Sequence, residues 1–343
     1  MTFSTLLRML RLIAFLALVP AVLIAGCGGG RDDDASASES VGVVATTTQV
    51  ADMARNIGGD RVEVTGLLAP NADPHDHEMR PQDIEALTDA ELVLRSGGDL
   101  DEWLTEAISG SGTDAPVLNL IDHVATIEGD ESDHGEEAHV EGEAAHSEEA
   151  EKASAGDAVD PHWWQDPRNA ERAVEAMRDA LVAADPEGRA VYTENAGAYL
   201  EALRELDAAV SDCLDRVPAA RRKLVSTHDS LGYYAERYGI EVIGTVIPSL
   251  STRGQPSAGE THELVETIRR EDVRAIFTES SVDPKVESAI ADESGATIGK
   301  PLWADTLGPQ GSDGATYLES IAANTRALTD GFTGGELKCS LPS

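Results

Sequence analysis

The tripeptide Asp-Pro-His occurs twice in this 343-residue chain, within NADPHDHEMRP (Asn71 to Pro81) and within DPHWWQDP (Asp160 to Pro167). A third histidine, His228, directly follows the run KLVST, and an acid, Asp305, closes PLWAD. Together, His75, His162, His228 and Asp305 offer three imidazoles and one carboxylate. Such a set suits a borderline-soft divalent ion such as Zn²⁺, and four ligands close a tetrahedron. Pro74 and Pro161 hold the residue before them in extended backbone, so each histidine leaves a stiffened loop. Asp229 is expected to cap a helix starting at Ser230 and so to pin the backbone beside His228. His77, two residues past His75 in an extended segment, projects to the same side. It is either an accessory metal ligand or a packing group, and spacing alone leaves both readings open. Taken singly, each of these histidines reads as an ordinary loop residue; His123 and His262 are left at that.

Other chemistries use similar residues. A catalytic zinc site needs three protein ligands, an open water position and a general base. Glu279, at the end of AIFTES, is the candidate base, and its other reading is a carboxylate standing behind a ligand. A storage protein or adhesin would instead show many equal, weak sites. The stretch Glu128 to Asp157 carries twelve acids, one lysine and no aromatic residue. It is expected to be a solvated, disordered insertion. Its histidines His134, His139 and His146 are candidate accessory ligands in an exposed, metal-gathering arm.

These residues must be placed by the elements around them. Strand-like runs (VGVVAT, RVEVTGLLA, AELVLRSGG, APVLNLI) alternate with helix-like ones (QVADMARNIGG, PQDIEALTDA, LDEWLTEAISG), a pattern that points to a parallel sheet with helices on both faces. After the acidic insertion, PRNAERAVEAMRDALVAA reads as a helix. Asp185 to Pro218 then reads as one long amphipathic helix, with leucine and alanine at i, i+3, i+4 spacing. A second series of strands follows in RKLVSTHDS, EVIGTVIP, VRAIFTES and GATIGKPLWA. Helices are expected at Gly232 to Tyr238, Ala258 to Arg270, Pro284 to Glu293 and Gly314 to Asp330. The expected fold is α/β: two lobes, each a mainly parallel sheet flanked by helices, joined by a single long helix. The expected boundaries are 41–184 for the first lobe (with the loop 128–157), 185–218 for the helix and 219–343 for the second lobe. Ligands of open α/β sheets sit at the carboxyl ends of strands. His75, His162, His228 and Asp305 fall there, two in each lobe, which puts a shared site in the interlobe cleft.

The N-terminus indicates where the chain works. Arg8 and Arg11 precede the apolar run Leu12 to Ile24, which has the length of a signal-peptide core and is too short for a membrane span. Residues 1–26 are thus expected to be a signal peptide, and IAGC looks like a bacterial lipobox with Cys27 as the lipidated residue. Residues 27–40, small and polar, form a flexible tether. The formal net charge of −37 repels phosphate backbones and argues against a nucleic-acid partner. The other two cysteines, Cys213 and Cys339, are an even pair in an exported chain, for which a disulfide is expected.

DPHDHEMRP, DPHWWQDPRNA, STHDSLGYYAERYGI and PLWADTLGP, in this order, resemble the four ligand motifs of the metal-specific substrate-binding lipoproteins of bacterial ABC transporters (the cluster A-I, or cluster 9, receptors). The likeness is closest to the zinc-binding branch and covers nearly everything after the tether. It implies His75, His162, His228 and Asp305 as ligands, the long helix as the family's backbone helix, and only modest rearrangement on metal release. It also implies a receptor, not an enzyme, that captures Zn²⁺ (with Mn²⁺ as the alternative) and passes it to a membrane permease. Such a chain would be a monomer, lipid-anchored at Cys27 on the extracytoplasmic face, at the cell surface or in the periplasm. His77 falls where the family usually has an aromatic residue. The loop is more acidic and less histidine-rich than in better-known zinc members, whereas His228 stands where manganese-selective relatives tend to carry a carboxylate.

Overall fold

The computed structural model describes residues 40–129 and 159–342. Cys27, the expected signal peptide, nearly all of the tether, and His134, His139 and His146 lie outside the described residues. Strand β1 (Val41–Ala45) is central in a four-stranded parallel sheet of order β2-β1-β3-β4, with β2 at Val62–Gly66, β3 at Leu92–Arg95 and β4 at Val117–Asn119. Val43, Val44 and Ala45 are all buried, as expected of a strand covered on both faces. Helix α1 (Thr48–Gly58) begins where the Thr47 hydroxyl accepts from Val50 N–H, and ends at Gly59, whose φ of 55° suits glycine. Helices α2 (Pro81–Thr88) and α3 (Trp103–Ser111) enclose a small core with the sheet, built from Val44, Leu67, Leu87, Val93, Leu104 and Ala107.

Helix α4 (Pro167–Ala184) matches its sequence run residue for residue, with Asp166 as N-cap and proline at the first position. The long helix α5 is shorter than expected, Arg189–Leu214. Asp185 starts a separate turn, its side chain accepting from Gly188 N–H, and Pro218 disfavours helix just before it. At 26 residues α5 is still about 39 Å long at 1.5 Å per residue. It packs against α1, α4 and the last helix, α9 (Tyr317–Thr333), through Tyr192, Tyr199, Leu203, Leu206 and Val210. Cys213, on its last turn, is bonded to Cys339, with Cα atoms 5.7 Å apart.

The second half repeats the plan of the first with shorter strands. Parallel pairs β5–β6 (Lys223–Ser226, Glu241–Thr245) and β7–β8 (Ala275–Ile276, Thr297–Ile298) are joined by one parallel bridge, Ser226 to Phe277. Helices α6 (Gly232–Tyr238), α7 (Ala258–Arg270) and α8 (Lys285–Ser294) complete it. These strands share a separate core with α7 and α8, made of Val225, Val246, Leu264, Val265, Ile268, Ile276, Ile290 and neighbours. The run GATIGKPLWA does not form one strand: Pro301 lacks an N–H, and pairing resumes only as a bridge between Glu279 and Leu302. Gly299 to Thr316 therefore crosses to α9 without regular structure. The ends of the acidic insertion are held together by an antiparallel bridge between Glu128 and Val159.

Candidate metal centre

Each of the four expected ligands emerges just beyond a strand or at the start of a turn. His75 lies on the loop between β2 and α2, and His162 on the turn that leads into α4. His228 follows β5, and Asp305 sits on the irregular segment before α9. Their ligand atoms come together within 4.8 Å of one another, and all four residues are buried. His75 Nε2 and His228 Nε2 lie 3.3 and 3.2 Å from Asp305 Oδ2, and His162 Nε2 lies 3.5 Å from Oδ1. Zinc bonds of about 2.0–2.1 Å would set tetrahedral ligands about 3.3 Å apart, close to these separations.

Carboxylates turn two of the imidazoles inward. Asp160 Oδ1 accepts from His162 Nδ1 at 2.7 Å, and Glu279 Oε1 accepts from His228 Nδ1 at 2.7 Å. An ionised carboxylate can only accept, so each Nδ1 carries a proton and each Nε2 is the nitrogen turned towards Asp305. The three Nε2 atoms and both Asp305 oxygens are buried without a hydrogen-bond partner. Facing polar atoms left so would be costly unless a cation or proton lay among them. The electrostatics agree. Burial pushes His162 and His228 down. Asp160 and Asp305 outweigh it at His162, which ends above its ordinary value, and Glu279 and Asp305 do so at His228, which ends well above. Burial raises Asp305, yet the two histidines drive it well below the usual carboxylate range.

Around this cluster several expectations change. His77 stands outside it: its ring packs on Trp103 at 4.5 Å between centroids, and its Nε2 is 3.7 Å from Asp83 Oδ2. Burial lowers its pKa, with Asp83 opposing and Arg80 adding to the shift. His77 thus occupies a ring-shaped slot against an indole. Asp229 does not cap a helix at Ser230, since α6 begins at Gly232 with Leu231 as N-cap. The backbone at His228 is held instead by the Ser226 hydroxyl, which donates to His228 O, and by Asp229 N–H, which donates to Ser249 O. Glu279 stands behind His228, also accepting its backbone N–H at 3.2 Å.

The segment carrying Asp305 is bonded to both halves, through Thr278 and Asn324 on one side and the N-terminal half on the other. The carbonyl of Ala304, one residue before Asp305, accepts from Gln49, Trp164 and Gln165, all carried by the N-terminal half. Leu307 N–H donates to Thr48 Oγ1, and Asn71 N–H donates to Leu307 O. Asp305 belongs to the C-terminal half in sequence, and the residues around it are bonded to the N-terminal half as well. Sequence reasoning missed Asp160, Gln49, Trp164 and Gln165. The Asp-x-His spacing shared by both Asp-Pro-His copies was a signal for Asp160, while nothing local marks Gln49.

Among the described residues no helix is long and apolar enough to cross a membrane. Compared with known proteins, the chain is 27% identical to the manganese-binding lipoprotein MntA of Halalkalibacterium halodurans, over 93% of this chain and 98% of that one. It is 27% identical to the iron-binding protein YfeA of Yersinia pestis, over 94% of each. The structure of the periplasmic zinc-binding protein TroA from Treponema pallidum superposes with a TM-score of 0.72 at 28% identity, covering 86% of this chain and 99% of that one. Residues 43–331 match the family described as zinc-uptake complex component A, periplasmic (ZnuA). With that match spanning most of the fold and the buried three-histidine, one-aspartate cluster within it, the chain belongs to this family of metal-binding substrate receptors of ABC transporters, which are binding proteins and not enzymes.

Proposed function

We propose that this receptor captures Zn²⁺ outside the cytoplasm and delivers it to a membrane permease, with His75, His162, His228 and Asp305 as the ligands. The observation that carries this reading is the convergence of three Nε2 atoms and two carboxylate oxygens, buried and unpartnered, on one point. Three imidazoles favour zinc over ions that prefer hard oxygen ligands. The imidazoles must give up their protons to bind, so capture releases protons and weakens in acid.

Manganese is the second reading, and one feature favours it. Both Asp305 oxygens face the imidazoles, one near His162 and the other near His75 and His228. A carboxylate binding through both oxygens would raise the donor count to five and suit a larger ion. Relatives named for manganese and iron point the same way. The hydrolase alternative finds little support, because Glu279 is committed to His228.

The remaining parts of the reading rest on the sequence. Cys27 carries the lipid, the chain works as a monomer at the extracytoplasmic face, and the strongly negative charge argues against nucleic acid as a partner. His134, His139 and His146 act as weak accessory ligands that gather ions for the buried site. Calorimetric titration with Zn²⁺ and Mn²⁺, with and without residues 128–157, tests the scheme. One tight zinc event, stronger than manganese and surviving the deletion, is expected. Tighter manganese binding would reverse the selectivity, and loss of the event on deletion would move the site to the loop.

A further inference from the structure

The two Asp-Pro-His copies use their aspartates differently. In both, Oδ1 accepts the backbone N–H of the histidine two residues on, at 2.9 Å from Asp73 to His75 and 2.8 Å from Asp160 to His162. In the second copy the same oxygen also holds the His162 imidazole. In the first copy the other oxygen, Oδ2, accepts from Thr252 Oγ1 at 2.7 Å. Thr252 lies on the segment joining β6 to α7, both of which belong to the separate core of the second sheet. Asp73 therefore ties the His75 arm to the opposite wall of the cleft.

His75 is also the ligand placed for exchange. It keeps 8% of its surface exposed, against 0% for His162 and His228 and 1% for Asp305. It lines a cavity of about 430 Å³ whose walls include Asp99, Glu102 and Trp103 on one side and Leu250, Ser251 and Arg253 on the other. Asp99 and Glu102 are exposed acids that would draw a cation towards this opening. Next to Thr252, Arg253 Nε is 3.4 Å from Asp76 Oδ1, with side-chain exposures of 62% and 72%. A pair so exposed is screened by water and holds little. The partly buried Thr252–Asp73 bond is the contact that can hold the loops together.

We propose that Thr252 and Asp73 form a latch that sets how long a captured cation stays. With the bond made, segment 250–253 closes against the His75 arm, and the Asp73 carboxylate holds the His75 backbone in its ligating position. With it broken, His75 is the first ligand free to leave, while carboxylates hold His162 and His228 and the bonds to the Ala304 carbonyl hold the backbone beside Asp305. Thr252 and Asp73 are positioning residues that touch no cation. The proposal rests on the four-ligand reading above.

The test follows zinc release from the zinc-loaded full chain into excess chelator by stopped flow, for the unaltered chain and for Thr252→Val, Thr252→Ser and Arg253→Ala. Valine keeps the shape and removes the donor. Losing one hydrogen bond to a charged acceptor should speed release about tenfold. Serine should restore the slow rate, and Arg253→Ala should change it less than twofold. Equal release from Thr252→Val and the unaltered chain overturns the latch, as does a larger effect from Arg253→Ala. Failure of Thr252→Ser to restore the slow rate also overturns it, by assigning Thr252 to packing and not to the hydrogen bond. If the unaltered chain binds zinc only weakly, the four-ligand reading itself fails, a result distinct from failure of the latch.

Discussion

Replacing Glu279 by glutamine probes how the protein orients the His228 imidazole towards the cluster. The side chain is 1% exposed, and its Oε1 takes both the His228 Nδ1–H at 2.7 Å and the backbone N–H at 3.2 Å. Glutamine keeps the volume, and its amide oxygen can accept the same bonds, but the charge is lost. A hydrogen bond to a charged partner contributes about 1.5–3 kcal/mol and a neutral one about 0.5–1.5, so the substitution should cost about 1–2 kcal/mol of metal binding. At 1.4 kcal/mol per factor of ten, zinc affinity near neutral pH falls roughly 5- to 30-fold, overlapping the lower part of the 10- to 100-fold span typical of groups that orient metal ligands. The same carboxylate also favours the proton that competes for His228, because Glu279 is the largest influence raising that imidazole against burial. Removing its charge weakens the competition in acid, so the affinity deficit of Glu279→Gln should narrow as pH falls. Competition titrations against a zinc-sensing dye at several pH values would measure both effects. A loss as large as that of His228→Ala would make Glu279 a ligand, and an unchanged affinity would refute the idea that it orients one.

Three further outcomes are expected. His75→Ala should abolish tight zinc binding in calorimetry, whereas His77→Ala, which removes a ring from Trp103 and not a donor from the cluster, should lower stability by about 1 kcal/mol and leave the tight event in place. The pH dependence of the metal-free protein has a definite sign. His162 and His228 are raised from 6.5, so their contribution to stability is complete below pH 6.5 and is lost as pH rises through their folded values. Asp305 is lowered from 3.8, so its contribution is complete above pH 3.8 and is lost as pH falls through its folded value. The rise in melting temperature caused by zinc should thus shrink towards pH 4–6, where the metal-free cluster is at its most stable and protons compete with the ion. Lastly, Cys213→Ala with Cys339→Ala opens a link across 126 residues. It should reduce unfolding free energy by about 2–4 kcal/mol in denaturant titrations while leaving zinc affinity unchanged.

Much of this molecule can be read from its residues in order. Local rules suffice for α4, with its Asp166 cap and Pro167, for α6 and α7, and for the alternation of strands and helices that makes a parallel sheet. The four clustered residues were legible as a set, through the repeated Asp-Pro-His and the places of His228 and Asp305 after strand-like runs. What the sequence blurs is local competition: α5 begins four residues late because the Asp185 side chain prefers its own turn, and Pro301 splits a strand. What only the tertiary structure decided is which groups serve the ligands from a distance. The clasp of Gln49, Trp164 and Gln165 on Ala304 spans as many as 255 residues and fastens Asp305 to the other half of the chain. The bond from Thr252 to Asp73 spans 179 residues. Such contacts leave no periodicity or spacing in the sequence, since they depend on two loops meeting across a cleft. They determine why two Asp-Pro-His copies alike in sequence do different work, one fixing an imidazole and the other joining the walls of the site.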